Sequence, residues 1–204
     1  INGGEGAPLT PIFHKYLIKS KKIDLPAGLL NIGGISNLTF MKELNNFSIL
    51  SKDVGPGNCL IDSWIQKFTE EKFDKEGKIS SRGSINKVIL EQALEVHENN
   101  FKNKDNISLD TNDFDISFVR GLSLEDGAAT LTAFTAKVIS SNIKKLLKNF
   151  DNNKLTILLC GGGRKNQNLI DHIKFNLNKN FILVNSDKFN INGDFIESRA
   201  IAYL

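Results

Sequence analysis

The chain has 204 residues, is 40% hydrophobic and 24% charged, and carries a net charge of +3. That size and composition give one large domain or two small ones with a sizeable core, and exclude a disordered chain. The lysines are scattered rather than blocked, so no nucleic-acid partner is implied, and no apolar run approaches the roughly 18 residues of a membrane span.

The chain begins at Ile1 rather than Met and enters mid-motif, so it reads as a piece of a longer protein. A Gly/Pro-rich turn leads into a short helix around "IFHKYLIKS", ended by Pro26 and Gly28. Three strand-like runs follow, "GLLNIGGIS", "NLTFMKEL" and "FSILSKDVG", with Asn45-Asn46 suited to a hairpin turn. They read as an antiparallel meander.

From Asn58 the period changes. Leu60, Ile61, Trp64, Ile65 and Phe68 recur at helical spacing, and a second helix carries Ile85, Val88, Ile89, Ala93, Leu94 and Val96. Residues 98–118 are polar and read as a long surface excursion without an assigned role. Ser123 to Asp126 suit a helix start, and a long helix runs on to about Phe150, with lysines near its end where they suit the helix dipole. "KLTILLC" is a buried strand, "RKNQNLIDHIKFNL" a helix, "NFILVN" a strand and "DFIESRAIAYL" a terminal helix. The order is βββ-α-α-α-β-α-β-α, an α/β chain.

Cys59 and Cys160 are far apart, with no C-x-x-C and no histidine near them in sequence, so they read as plain thiols of a reducing compartment and not as a zinc site. No charged-then-apolar signal segment opens the chain. His14, His97 and His172 read as surface or capping residues, and Trp64 as core.

Three glycine turns carry the functional signal. "NIGGISN" places Gly33 and Gly34 inside a strand-like run, which suits either a plain bulge or hairpin or a close backbone approach to a phosphate. "KDVGPGNCLIDSW" ends a strand in Asp53, passes Gly55 and Gly57, and opens a helix at Asn58; such a helix start favours anions, and Asp53 could hold magnesium directly or through water. The plainer reading is a tight connection capped by Asp53 or Asn58. "LLCGGGRKNQNL" runs from a strand through Gly161, Gly162 and Gly163 into a helix, with Arg164 suited to stack on a base or reach a phosphate. It lacks the Gly-Lys-Ser/Thr of a P-loop, and a flexible connection is the alternative.

The order of these turns resembles the second half of the sugar kinase, heat-shock ATPase and actin superfamily. "NIGGISN" is similar to its second phosphate loop, with Asn31 where an Asp is usual, and the strand-Gly-Gly-helix turn at 161 is similar to its adenosine motif. Five stretches narrow the resemblance to the anhydro-N-acetylmuramic acid kinase family: "GGEGAPLTPIFH", "NIGGISNLT", "DVGPGNCLIDSWIQ" with "FDKEG", "CGGGRKNQ" and "INGDFIES". The resemblance covers the whole chain and corresponds to the C-terminal half of such an enzyme.

It implies a ribonuclease H-like, actin/hexokinase-type ATPase domain, a mixed sheet flanked by helices, over residues 30–204, with 1–29 a segment from the junction with an N-terminal half. It also implies a cytoplasmic kinase of cell-wall recycling that uses ATP and Mg2+. Water opens the 1,6-anhydro ring of the muramic sugar and the γ-phosphoryl group goes to O6. Gly33, Gly34, Asn37, Asp53, Gly55, Gly57, Asn58, Gly161, Gly162, Gly163, Arg164 and Asn166 are the expected nucleotide side. Gly4, Glu5 and Gly6 are the expected sugar side, Asp53 the expected metal residue and Glu197 a supporting one. Glu5 stands where the family usually has Gln, and Ser198 and Ile201 where it has Ala and Phe. The water-activating Asp is expected just before Ile1, which leaves the chain alone inactive and with apolar surface exposed. The resemblance allows a homodimer of the full-length enzyme. The alternatives are an inactive remnant or interaction module, or another sugar or acetate kinase of the superfamily.

Overall fold

The computed structural model describes residues 11–43, 49–101, 108–148 and 154–203, apart from the side chains of Glu197 and Tyr203. Its elements in chain order are α1 (Pro11–Ser20), β1 (Ala27–Ile32), β2 (Ile35–Met41), β3 (Ile49–Pro56), α2 (Cys59–Phe68), α3 (Lys87–Phe101), α4 (Leu124–Leu146), β4 (Leu155–Cys160), α5 (Gln167–Asn176), β5 (Phe181–Asn185) and α6 (Ile196–Tyr203). The sheet order is β3-β2-β1-β4-β5. β2 is antiparallel to both neighbours, while β4 and β5 run parallel to β1. This is the mixed ribonuclease H-like sheet that the resemblance implies.

Chemistry explains the layering. β1 is buried at every position and β4 at all but one, as strands covered on both faces must be. On one face α2, α4 and α5 pack through Trp64, Leu131, Ile139 and Ile173. On the other, α1 and α6 pack through Phe13, Ile18, Ile196 and Ala200 against Leu29 and Leu158. A boundary at 29/30 therefore cuts β1, and α1 belongs with the sheet. α4 is the central helix, and Ser123 caps it by accepting from the Asp126 N–H at 3.1 Å.

Four expectations change. Gly33 and Gly34 are not inside a strand: they form the turn between β1 and β2, because Ile32 already pairs with Ser36. Gly28 does not end α1; it lies within β1 opposite Phe40. The 98–118 stretch is not all excursion. α3 runs on to Phe101, and Phe114 returns to stack on that ring at 5.9 Å. His14 is neither a surface nor a capping residue. It is 2% exposed, and its Nδ1 lies 2.8 Å from Thr39 Oγ1. The Asn45-Asn46 turn lies outside the described residues. No helix among the described residues is long and apolar enough to cross a membrane.

Burial pushes His14 down to about 4, so its folded form is neutral. The unfolded chain takes up this proton first as the pH drops. The site's contribution is intact above 6.5 and is lost as the pH falls toward about 4. Full loss amounts to about 3 kcal/mol. Urea unfolding at about pH 7 and about pH 4.5 should show this extra acid sensitivity. His14→Gln should remove it, and an unchanged pH slope in that variant would place the sensitivity elsewhere.

Candidate functional site

β1, β3 and β4 share a direction, so their carboxyl ends meet at one edge of the sheet, the edge at which open α/β sheets hold ligands. β1 leads into Gly33-Gly34, β3 into Gly57-Asn58 and β4 into Gly161-Gly163. The three glycine turns of the sequence are thus brought together. The N–H groups of Gly57 and Asn58 donate to the carbonyls of Gly34 and Gly33 at 2.8 and 2.7 Å. Asn58 Nδ2 donates to the Ile32 carbonyl at 3.4 Å, and it is also the atom nearest to where a Gly162 Cβ would stand, at 3.9 Å.

The glycines divide by what a side chain would meet. At Gly55, with φ +141°, a Cβ would stand 2.7 Å from Val138 on α4. At Gly57 it would fall on the Gly33 carbonyl, and at Gly163 on Ile32 Cγ2. Gly161 has a left-handed φ of +76°. Glycine at these four positions is explained by the protein's own packing. At Gly33, Gly34 and Gly162 the nearest atoms would stand at 3.5, 3.5 and 3.9 Å, which is ordinary contact. Gly34 and Gly162 are exposed, and Gly33 partly so. Bare backbone there leaves room for a flat or phosphate-bearing molecule to lie close, so these residues fit a nucleotide.

Asn58 sits at the start of α2 but makes no side-chain cap, since its amide reaches Ile32 instead. The Asn58 and Cys59 N–H groups at the start of α2 donate to the Gly33 and Gly34 carbonyls at 2.7 and 3.3 Å, so what the helix start offers an anion is its dipole. Asn37 is half-buried on β2, between Asn31 on β1 and Asp53 on β3. Thr111 also reaches the site, 3.5 Å from where a Gly34 Cβ would stand.

Arg164 requires correction. It is only 6% exposed, and its donors are engaged within the protein: Nη1 with Asp194 at 2.6 Å and the Gly161 carbonyl at 2.9 Å, Nε with Asp187 at 3.2 Å. It has no open face to stack on a base. Asn166 is corrected likewise: its Oδ1 accepts from the Leu169 N–H at 3.0 Å, which makes it the cap of α5. Asp53 accepts from the Leu109 N–H at 2.9 Å through Oδ2, tying down the returning segment. Among the described residues no three His, Cys, Asp or Glu side chains gather to hold a metal. With Oδ2 so engaged, Asp53 would meet a magnesium ion through its other carboxylate oxygen or through water. Glu197 lies in α6 with its side chain outside the described residues, as are Gly4, Glu5 and Gly6 entirely.

Sequence reasoning passed over Asp62. It lies one turn into α2, where its N–H donates to the Asn58 carbonyl at 2.8 Å. Burial first, then the charge of Asp74, push it up to about 6. Asp74 is itself buried and accepts from Ile79 and Ser80 N–H groups at 2.7 and 3.0 Å. No pattern in "LIDSW" marks this, because Asp74 comes from a different segment. A carboxyl held above its ordinary value gives stability that is present at low pH and lost as the pH rises from 3.8 through about 6. Asp62→Asn should therefore raise neutral-pH stability by about 1 kcal/mol after solvent screening, or roughly 3 °C in Tm. The gain should vanish near pH 4; a gain that persists there would contradict this account.

A separate groove of about 910 Å³ runs along the outer edge of the sheet between β3, α3 and α4, lined by residues such as Lys52, Asp53, His97, Lys137 and Lys145. Lys52, Asp53 and Val54 of the second stretch line it, but no glycine of the three turns does.

A family model for anhydro-N-acetylmuramic acid kinase matches residues 1–204. The chain is 50% identical over 203 residues to the anhydro-N-acetylmuramic acid kinase of Pelagibacter ubique (strain HTCC1062), covering 100% of this chain and 54% of that protein. It is 37% identical over 203 residues to the enzyme of the same name from Methylorubrum populi, covering 99% and 51%. Among solved structures it is similar to an activator of 2-hydroxyisocaproyl-CoA dehydratase from Clostridium difficile with bound ADPNP, at a TM-score of 0.47 and 14% identity, covering 93% of this chain and 66% of that one. The chain spans about half the length of the curated relatives it matches.

Proposed function

The chain belongs to the anhydro-N-acetylmuramic acid kinase family, and we propose that it forms the nucleotide-binding half of an ATP-dependent kinase acting on 1,6-anhydro-N-acetylmuramic acid. The observation that carries this reading is the meeting of Gly33-Gly34, Asn58 and Gly162 at one sheet edge, where bare backbone stays open although the protein's own packing does not require it.

The residues have a division of labour. Gly162 offers a flat wall to the base, and Gly33 and Gly34 let phosphate oxygens approach the backbone between β1 and β2. The start of α2 adds a favourable dipole for the negative charge. Phosphoryl transfer asks mainly for such positioning and charge stabilisation. Magnesium would arrive on the triphosphate, and no step is assigned to a protein-held ion. The products are ADP and N-acetylmuramic acid 6-phosphate, with water adding to the anomeric carbon as the anhydro ring opens. The general base for that water is assigned to the length of the curated relatives that this chain does not span, while Gly4, Glu5 and Gly6 are assigned to the sugar side. ATP use fits a cytoplasmic site of action.

The test is a product assay on the intact protein, offered ATP with either the 1,6-anhydro sugar or N-acetylmuramic acid. Phosphorylation of the anhydro sugar alone is expected. Phosphorylation of the open sugar would point to another kinase of the superfamily, and no ADP from either would point to an inactive remnant.

A further inference from the structure

The glycine turn after β4 is gripped from outside the sheet. Arg164 donates from Nη1 to the Gly161 carbonyl at 2.9 Å, and the same guanidinium engages Asp194 at 2.6 Å and Asp187 at 3.2 Å. The grip is reciprocal. The Gly161 N–H donates to the Gly193 carbonyl at 3.0 Å, and the Gly193 N–H donates to Asp187 Oδ1 at 3.2 Å. Lys165 completes the set by pairing with Asp194 at 2.7 Å. Two cations thus face two carboxylates, and the buried member is the arginine, whose side chain is 3% exposed. Gly193 must lack a side chain, because a Cβ there would stand 2.6 Å from Arg164 Nε and 2.7 Å from Ser186 Oγ. Gly161, the residue that leads into Gly162, is therefore held through both its own N–H and its own C=O, while Gly162 itself is exposed.

We propose that Arg164 is a positioning residue for the nucleotide: it never touches the ligand, but fixes the Gly161 peptide so that the Gly162 wall keeps one orientation, and it makes the 186–194 loop part of the nucleotide site. This rests on the reading of the turn as a nucleotide wall. A planar guanidinium fork suits the task, since it can hold a carbonyl and two carboxylates in fixed directions, which a lysine ammonium cannot. The clasp is also insensitive to neutral pH. Hydrogen bonds from Arg164 and Lys165 hold the Asp194 carboxyl at about 2, so it stays charged.

The experiment measures KM for ATP, KM for the sugar and kcat in the intact protein for Arg164→Met, Arg164→Lys, Asp194→Asn and Gly162→Val. Arg164→Met is expected to raise KM for ATP by about ten- to a hundredfold, with KM for the sugar unchanged and kcat at saturating ATP nearly so. Arg164→Lys should recover little of this. Asp194→Asn, which keeps the Asp187 and Gly161 contacts, should move the same parameter less. An unchanged KM for ATP in a folded Arg164→Met protein, or an equal rise in both KM values, would overturn the proposal. If Arg164→Met does not fold, Asp194→Asn decides, and a wild-type KM for ATP there overturns it. Gly162→Val separates the two ideas. If it raises KM for ATP and the Arg164 and Asp194 variants do not, only the clasp fails; if it does nothing, the nucleotide wall itself is wrong.

Discussion

Gly162→Val is expected to lower ATP-dependent turnover by about a hundredfold while shifting Tm by no more than about 2 °C. The two halves of that result have separate causes. The nearest atom to an added Cβ is Asn58 Nδ2 at 3.9 Å, so the folded chain meets no clash, and Gly162 has no left-handed φ to strain. A nucleotide lying against the exposed Gly162 backbone would be displaced by the isopropyl group. Turnover assays at several ATP concentrations with a thermal melt check both halves. Full activity would remove Gly162 from the site, and a large drop in Tm would show that its glycine is structural after all.

One residue along, the expectation reverses. Gly163→Ala should destabilise the protein by about 3 kcal/mol, or roughly 10 °C in Tm, because a single methyl group overpacks the core. That methyl would fall on Ile32 Cγ2 and stand 3.0 Å from Asn58 Oδ1. Ile32 is fully buried at the end of β1 and has nowhere to go. Relief would require moving the end of β1, and with it the Gly33-Gly34 turn. Any loss of activity in this variant should thus follow its stability, which denaturant unfolding measures directly. A melting curve like wild type would show that β1 and the turn after β4 are less tightly fitted than the structure has them.

Adjacent glycines with opposite consequences explain how much could be read from the sequence. The strand and helix order was legible because it depends on local periodicity: Leu60, Ile61, Trp64 and Ile65 mark a buried helix face, and all four are buried. The turns were legible as glycine runs at strand ends. What was not legible was which glycine faces a neighbour and which faces solvent, since the neighbours come from elsewhere. Ile32 and Gly163 are far apart in sequence and in contact only through the parallel pairing of β1 with β4. Arg164 misled for the same reason. Beside three glycines it looks like a ligand contact, and its real partners, Asp187 and Asp194, follow more than twenty residues later. Asn166 carried a readable signal, an Asn just before a helix, and capping is the role it takes. The 98–118 stretch gave no periodicity at all, yet Leu109 is tied to Asp53 and Thr111 borders Gly34.

The central claim is that nucleotide rests on the sheet edge where Gly33-Gly34, Asn58 and Gly162 meet. The most direct measurement is a titration of the isotopically labelled chain with ADP, followed through backbone amide resonances. The account predicts that the largest shifts fall on Gly33, Gly34, Asn58 and Gly162, and that they are lost in Gly162→Val. Shifts concentrated instead on Lys52, Lys137 and Lys145 along the outer groove would contradict it.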